Sequence, residues 1–393
     1  YHHILDRDRP LLYFLNEVGV LSKVRWRPVR MLFHLENQLY DLTRPKDFLH
    51  FPMAFSDKIR FAGLMMRAFR KSDWRDWNGR TARELIDSWA GEGVREAIFE
   101  KLSRLKFGLS CSEVSASWLG ARIHFREGSA PFGFIPGSNW TKDLCDGLTN
   151  LVADEGVDLR LGSTAHALHG RDGLLTEVEL VGGERLGADV FVSAIPTETY
   201  MELIPADCSP NLDKIRYTAV ISAICTTRQR IEPDFYWMNM LSLEQNSCGL
   251  FRLDSLNPSI GAPGETCLNF VTHVPSRDDD FFHRSDEALW NGYQNDFRGI
   301  FGVDLEPGWK HLTKIPRYSP ILVPEYENPP IRSDSWKNMY FAGNYRTYPS
   351  TVTTGTALYS GLEAGQAVLH DLGLDLDVLQ AARDFRLKSM PRA

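Results

Sequence analysis

The 393 residues, 43% hydrophobic and 24% charged, have the make-up of an ordinary globular chain long enough for two or three compact units. A net charge of −7 with scattered basic residues removes the sequence-independent phosphate attraction that nucleic-acid binders rely on, which sets DNA and RNA aside. Cys111, Cys145, Cys208, Cys225, Cys248 and Cys267 include no C-x-x-C pair, so their spacing excludes the usual zinc and disulfide frameworks and no metal is expected.

From Arg9 to about Ile123 the apolar spacing is helical. "PLLYFLNEVG" puts Leu11, Leu12, Phe14, Leu15 and Val18 on one stripe that stops at Gly19. "SDKIRFAGLMMRAFRK" starts at Ser56 as an N-cap and groups Ile59, Ala62, Met65, Met66 and Phe69, with Lys58, Arg67, Arg70 and Lys71 largely away from them. A basic amphipathic helix of this kind suits a membrane surface or the protein's own core, and core packing is the commoner solution. "TARELIDSWAGEG" and "REAIFEKLSRLKFG" are further short helices. "GEGVRE", with Gly91, Gly93 and Glu96, follows a helix rather than a strand and lacks a third glycine, so it reads as a turn between helices.

After the glycine- and proline-rich "EGSAPFGFIPGSNW", a helix is expected from Trp140 to Asp154, ending at Gly156. The period then drops to two. "VDLRLG", "TAHALHG", "LLTEVELVGG" and "ADVFVSAIP" are expected as a parallel-type strand followed by a meander, with Arg171-Asp172-Gly173 and Gly182-Gly183-Glu184 as tight turns. Longer strands between Tyr217 and Val274 imply an antiparallel sheet, and "SDEALWNGYQNDFRGIFG" a helix. In "RDDDFFHRSDE", Asp278 to Asp280 read as a helix cap rather than a carboxylate cluster. The cysteines read as reduced, mostly buried residues of a cytoplasmic protein. No apolar run reaches the ~20 residues that a bilayer-spanning helix needs.

The closing stretch "NMYFAGNYRTYPSTVTTGTALYSGLEAG", Asn338 to Gly365, is a short apolar strand, a glycine, a polar loop and a helix that begins near Thr353 or Thr354 without a charge in its first turns. Free amides at such a helix start, beyond the carboxyl end of a strand, suit an anion. Ala357, Gly361, Ala364 and Val368 give this helix a stripe of small residues for close packing.

This stretch resembles the C-terminal FAD-binding segment of the amine oxidase, protoporphyrinogen oxidase and phytoene desaturase superfamily. "YHHILDRDRPLLYFLNEVGV", "LKFGLSCSEVSASWLGARI", "GVDLRLGSTAHAL" and "ADVFVSAIP" are similar to further segments in the family's order. The resemblance implies a mixed α/β fold: an incomplete Rossmann-like FAD-binding domain from 1–7, 134–200 and 332–375, a substrate-binding domain of antiparallel sheet and helices from 8–133 and 201–331, and a tail over 376–393. It also implies that a G-x-G-x-x-G βαβ unit precedes Tyr1. Without that unit the chain would bind FAD weakly.

Carried over by position, Gly343 matches the glycine at the strand end. Asn344 stands where an Asp usually accepts a ribityl hydroxyl, and its amide oxygen can still accept without the charge. Thr353, Thr354 and Gly355 match the helix start near the flavin, in a register open by one residue. Ala165 takes the position whose backbone pairs with adenine, and Ala194 and Pro196 match the strand end over the cofactor. His2 and His3 match a loop that passes the flavin in several relatives; solvent or a hydrogen-bonded core remains open for them. Arg317 and Tyr318 fall where the substrate sheet returns to the ring. The implied activity is hydride removal from a small, apolar, carbocyclic or lipophilic substrate, with the flavin doing the difficult step. The rival implications are a non-redox flavoenzyme resembling the sugar-nucleotide mutases, or a fragment without catalysis.

Overall fold

Two long runs rich in β-branched residues set the frame: Tyr217–Thr227 and Thr266–Val274 pair antiparallel along their length and are buried on both faces. A computed structural model of the chain describes residues 3–127, 131–205, 212–242 and 244–392. The two strands sit inside a seven-stranded sheet ordered Lys310–Pro320, Tyr217–Thr227, Thr266–Val274, Gly249–Arg252, Trp237–Met240, Met31–Leu35, Gln38–Tyr40. Neighbours are antiparallel except Trp237–Met240 beside Met31–Leu35. The antiparallel sheet expected from the sequence is thus present. It also takes in residues 31–40, which the spacing placed among helices; strands of three to five residues are too short to display a period of two.

Alternation along the central strands divides the core. Ile221, Ala223 and Phe270 face the helix Asp286–Phe301, whose Leu289, Tyr293 and Phe297 cover that side. Val220 and Val271 face the other way, with Trp237 and Phe251. Helices between residues 82 and 127 lie beyond that second face.

A three-stranded meander, Ala165–Arg171, Leu174–Leu180 and Arg185–Gly187, follows the helix Trp140–Asp154. The Asp172-Gly173 turn has φ of 54° and 74°, as a tight hairpin requires. Two expectations are corrected here. Val157–Gly162 forms no strand; it finds no partner, and Leu159 and Leu161 are exposed. The last expected strand, Phe191–Ser193, leaves the meander and pairs in parallel with Met339–Phe341. The mixed α/β class therefore stands, with a two-stranded parallel piece beside a large antiparallel sheet. The tail folds back: Trp26 N–H donates to the Pro391 carbonyl at 2.9 Å, and Ala382 is buried.

The helix Phe55–Arg70 begins two residues earlier than expected, with Ala54 rather than Ser56 at its N-cap. Its buried side chains are Lys58, Leu64 and Ala68. Ile59, Met66 and Phe69, expected on the core, are exposed. Periodicity reveals an apolar stripe but not what covers it.

Candidate cofactor and substrate cavity

The strand Met339–Phe341 ends against Ser193, whose carbonyl accepts from Ala342 N–H at 2.9 Å, so both parallel strands finish on the same edge. Gly343 follows with φ of 140°, and a Cβ there would meet the Tyr345 ring at 2.7 Å. Its N–H donates to Ser360 Oγ at 2.8 Å, which ties the strand end to the middle of the final helix, Thr354–Asp371. The burying face of this helix is Gly355, Ser360, Ala364 and Ala367. The expected stripe of Ala357, Gly361, Ala364 and Val368 is therefore rotated, and only Ala364 is retained.

At the start of the final helix, Thr353 is the N-cap and exchanges hydrogen bonds with Thr356 as a capping box. The Asp8 carboxylate lies against the same turn. It accepts from Leu11 N–H at 3.3 Å, capping the first helix, Arg9–Glu17, and also from the Thr353 hydroxyl and the Gly355 amide. One carboxylate thus serves the positive ends of two helices. Gly355 is required there because a Cβ would stand 1.8 Å from Asp8 Oδ1. Burial pushes the Asp8 carboxyl up to about 6, against the lowering effect of its three donors.

A cavity of about 480 Å³ opens from this point. One end is lined by Asp8, Asn344, Thr351, Thr353 and Thr354. It continues between the large sheet, at Trp237, Phe251, Val271 and His273, and the helices, at Phe99, Leu102, Trp118 and Arg122. Among the described lining residues, Asp8, Lys106 and Arg122 carry full charges. Lys106 Nζ lies 5.6 Å from the Phe107 ring centre and the Arg122 guanidinium 5.9 Å from that of Trp118, so aromatic faces accommodate both cations.

Of the residues singled out from sequence, His3, Tyr318, Asn344, Thr353 and Thr354 line this cavity. His3 stacks on Phe132 with centroids 4.1 Å apart, and its Nδ1 is 3.0 Å from the Tyr236 hydroxyl; it is both cavity-facing and hydrogen-bonded. His2 lies outside the described residues. Arg317 takes a different place from its neighbour: it pairs with Glu198 at 2.8 Å and Glu202 at 2.6 Å, outside the lining. The pairing register slips between Ile315 and Ser319, and within that bulge Arg317 turns to the two glutamates while Tyr318 lines the cavity. Gly343 and Gly355 sit one layer behind the lining, in the strand end and beneath Asp8. Ala165 opens the meander, while Ala194 and Pro196 follow Ser193 on the rim of the parallel pair; none of the three lines the cavity.

Sequence reasoning missed Asp8 and Thr351. An Asp two residues before Pro10, ahead of an apolar helical stripe, is an N-cap signal that could have found the first. Nothing in the local pattern marks the second.

Three polar features fit the edge of a flavin. Thr351 Oγ1 is buried without a partner in the cavity wall. In the first turn, Gly355's amide goes to Asp8 and Thr356's to Thr353 Oγ1, so Thr354's is left for a ligand. Asn344 Nδ2 donates to the Tyr318 carbonyl at 3.3 Å; only an amide nitrogen can make that bond, so Oδ1 is left to accept. A donor, a hydroxyl and an acceptor on one rim match a ring edge that alternates carbonyls with N–H.

A helix start with a free amide, joined to an apolar chamber in a mixed α/β frame, has the form of a cofactor-binding protein. The pattern of the flavin-containing amine oxidoreductases matches residues 1–369, and the chain belongs to that family, whose cofactor is FAD. No curated protein sequence matches the chain significantly. Among solved structures, similar folds include a provisionally designated protoporphyrinogen oxidase from Exiguobacterium sp. 255-15 (TM-score 0.75, 16% identity, 94% of this chain and 87% of that one). A reduced UDP-galactopyranose mutase is similar at TM-score 0.69 with 13% identity, covering 98% of this chain and 86% of that one. Cyclohexylamine oxidase from Brevibacterium oxydans IH-35A follows at 0.62 and 11%, covering 94% and 87%. At these identities the likeness is one of fold.

Proposed function

We propose that the protein is an FAD-dependent oxidoreductase that takes hydride from a lipophilic or carbocyclic substrate held between the seven-stranded sheet and the helices. The observation that carries this reading is the continuity of the cavity, from the first turn of the final helix to an aromatic chamber. Bound flavin would supply the oxidant. Asn344, Thr351 and Thr354 would hold its polar edge, with Thr353 and Gly355 fixing the turn that presents them. Residues 1–7, 134–200 and 332–375 would form the cofactor part, joined by Asp8 and the first helix, and 8–133 with 201–331 the rest of the substrate part.

The chain's own contribution is to shape, orient and dry the site. Trp237, Phe251 and Val271 offer an apolar wall, and His3, fixed by Phe132 and Tyr236, gives one polar contact on it. Among the described lining residues no carboxylate besides Asp8 faces the chamber, and Asp8 is engaged by three donors. A cationic amine would therefore be desolvated there without a counter-charge. Lys106 and Arg122 are the cations that a mutase-like reading would need for a diphosphate, but their aromatic surroundings favour a largely apolar substrate.

Anaerobic titration separates the readings. We expect FAD to be taken up, with the affinity of Thr351→Val lowered about tenfold, the worth of one hydrogen bond. Apolar alicyclic compounds should bleach the flavin band. Absence of FAD uptake, or bleaching by cationic amines alone, would overturn the proposal; a sugar nucleotide turned over without net bleaching would favour the mutase reading.

A further inference from the structure

We propose that the helix Phe55–Arg70 docks the protein on the surface of an anionic lipid bilayer, next to the cavity that the same helix lines. Three faces divide this helix. Leu64 and Ala68 are buried, and Phe61 and Met65 line the cavity. Beside them runs an outward stripe at helical spacing: Phe55, Ile59, Met66 and Phe69, with relative exposures of 67%, 61%, 51% and 36%. Next around the helix come Arg60, Arg67 and Arg70, all exposed. Arg60 is 3.3 Å from Asp57, and the Arg67 guanidinium lies 5.8 Å from the Trp89 ring centre.

Large apolar side chains in a continuous exposed row signal a covering partner rather than chance. Charge identifies the partner. Residues 44–71 place six Lys or Arg at least partly in solvent, Lys58 alone being buried, against two Asp, within a chain whose net charge is −7. A second copy would bring the same basic stripe against this one and be repelled. An anionic lipid surface would draw the arginines to its headgroups while Phe55, Ile59 and Met66 enter the acyl boundary, and long arginine stems reach the headgroup level readily. Leu49, on the preceding helix Pro45–His50, is a further large apolar side chain left 54% exposed. The inference does not depend on the proposed reaction, because docking needs neither cofactor nor substrate.

The test is flotation of the full chain with vesicles of phosphatidylcholine alone and of phosphatidylcholine mixed equally with phosphatidylglycerol. Wild type should float with the mixed vesicles and lose them at high salt. Ile59→Ser with Met66→Ser, and separately Arg67→Glu with Arg70→Glu, should each lower binding about tenfold or more, with thermal unfolding unchanged because these side chains face solvent. Failure of wild type to float, or flotation of the serine pair like wild type, would overturn the proposal. So would self-association in ultracentrifugation that the serine pair abolishes without any vesicle uptake, since a second copy would then be the occupant.

Discussion

The helix Thr354–Asp371 packs through Gly355, Ser360, Ala364 and Ala367, whereas Phe55–Arg70, bordering the same cavity, leaves Phe55, Ile59 and Met66 in solvent. Small residues let the final helix approach Asp8 and the strand end so closely that no added atom fits. The second helix is anchored by Lys58, Leu64 and Ala68 and leaves four of its large apolar side chains outward. Apolar content alone therefore does not rank the two: the tighter one has the smaller side chains, and tolerance to substitution should follow contact rather than hydrophobicity.

Gly355→Ala breaks or upholds that contrast most directly. Its Cβ would fall 1.8 Å from Asp8 Oδ1, so either the carboxylate or the helix start must move. Overpacking with loss of a buried cap should cost about 3 kcal/mol in urea unfolding at neutral pH. Met66→Ala, at an exposed position, should stay within about 0.5 kcal/mol. Equal losses at the two sites would remove the distinction.

The Asp8 carboxylate allows a second test, by pH. Its folded value of about 6 lies above the ordinary 3.8 because burial penalises the charge. As pH rises from about 4 to about 6, the unfolded chain gives up this proton while the folded protein keeps it, so stability falls across that window. The penalty is absent below the lower value and complete above the upper one, amounting to about 2–3 kcal/mol. Asp8→Asn has no such proton to lose, and its stability between pH 4 and 6 should be flatter by about that amount. Parallel wild-type and variant profiles would show that the two helix starts hold this carboxylate at an ordinary pKa.

The same contrast separates what the sequence discloses from what it hides. The strand at Met339, the glycine turn and a helix starting at Thr354 were legible because each rests on local chemistry: an apolar run, a residue free to adopt φ of 140°, and a threonine cap. The helix Trp140–Asp154 was legible for the same reason, with Asn139 capping it and Gly156 closing it at φ of 79°. Hidden were the features set by distant neighbours. The small-residue face of the final helix is rotated because Asp8, from the other end of the chain, decides which glycine is enclosed. Ile59 and Met66 look like core in a helical wheel, and only the three-dimensional position of Leu64 and Ala68 shows which side is inward. Arg317 and Tyr318 were paired by adjacency, but they fall in a bulge of the edge strand that sends one to Glu198 and Glu202 and the other to the cavity.

A last and smaller effect concerns one idle glycine from each helix. At Gly361 in the final helix and at Gly63 in the cavity-lining one, an added Cβ would meet nothing within 4 Å, and neither has a positive φ. Their cost is then the backbone freedom that glycine loses in a helix interior, and alanine should return about 0.5–1 kcal/mol at each. The two gains should match, although one helix is tightly packed and the other open on its outer side, because an alanine methyl in open space responds to the backbone alone. A gain at Gly63 with a loss at Gly361 would mean that the final helix needs its exposed side bare as well as its buried one, and that its close packing extends beyond Gly355 and Ser360.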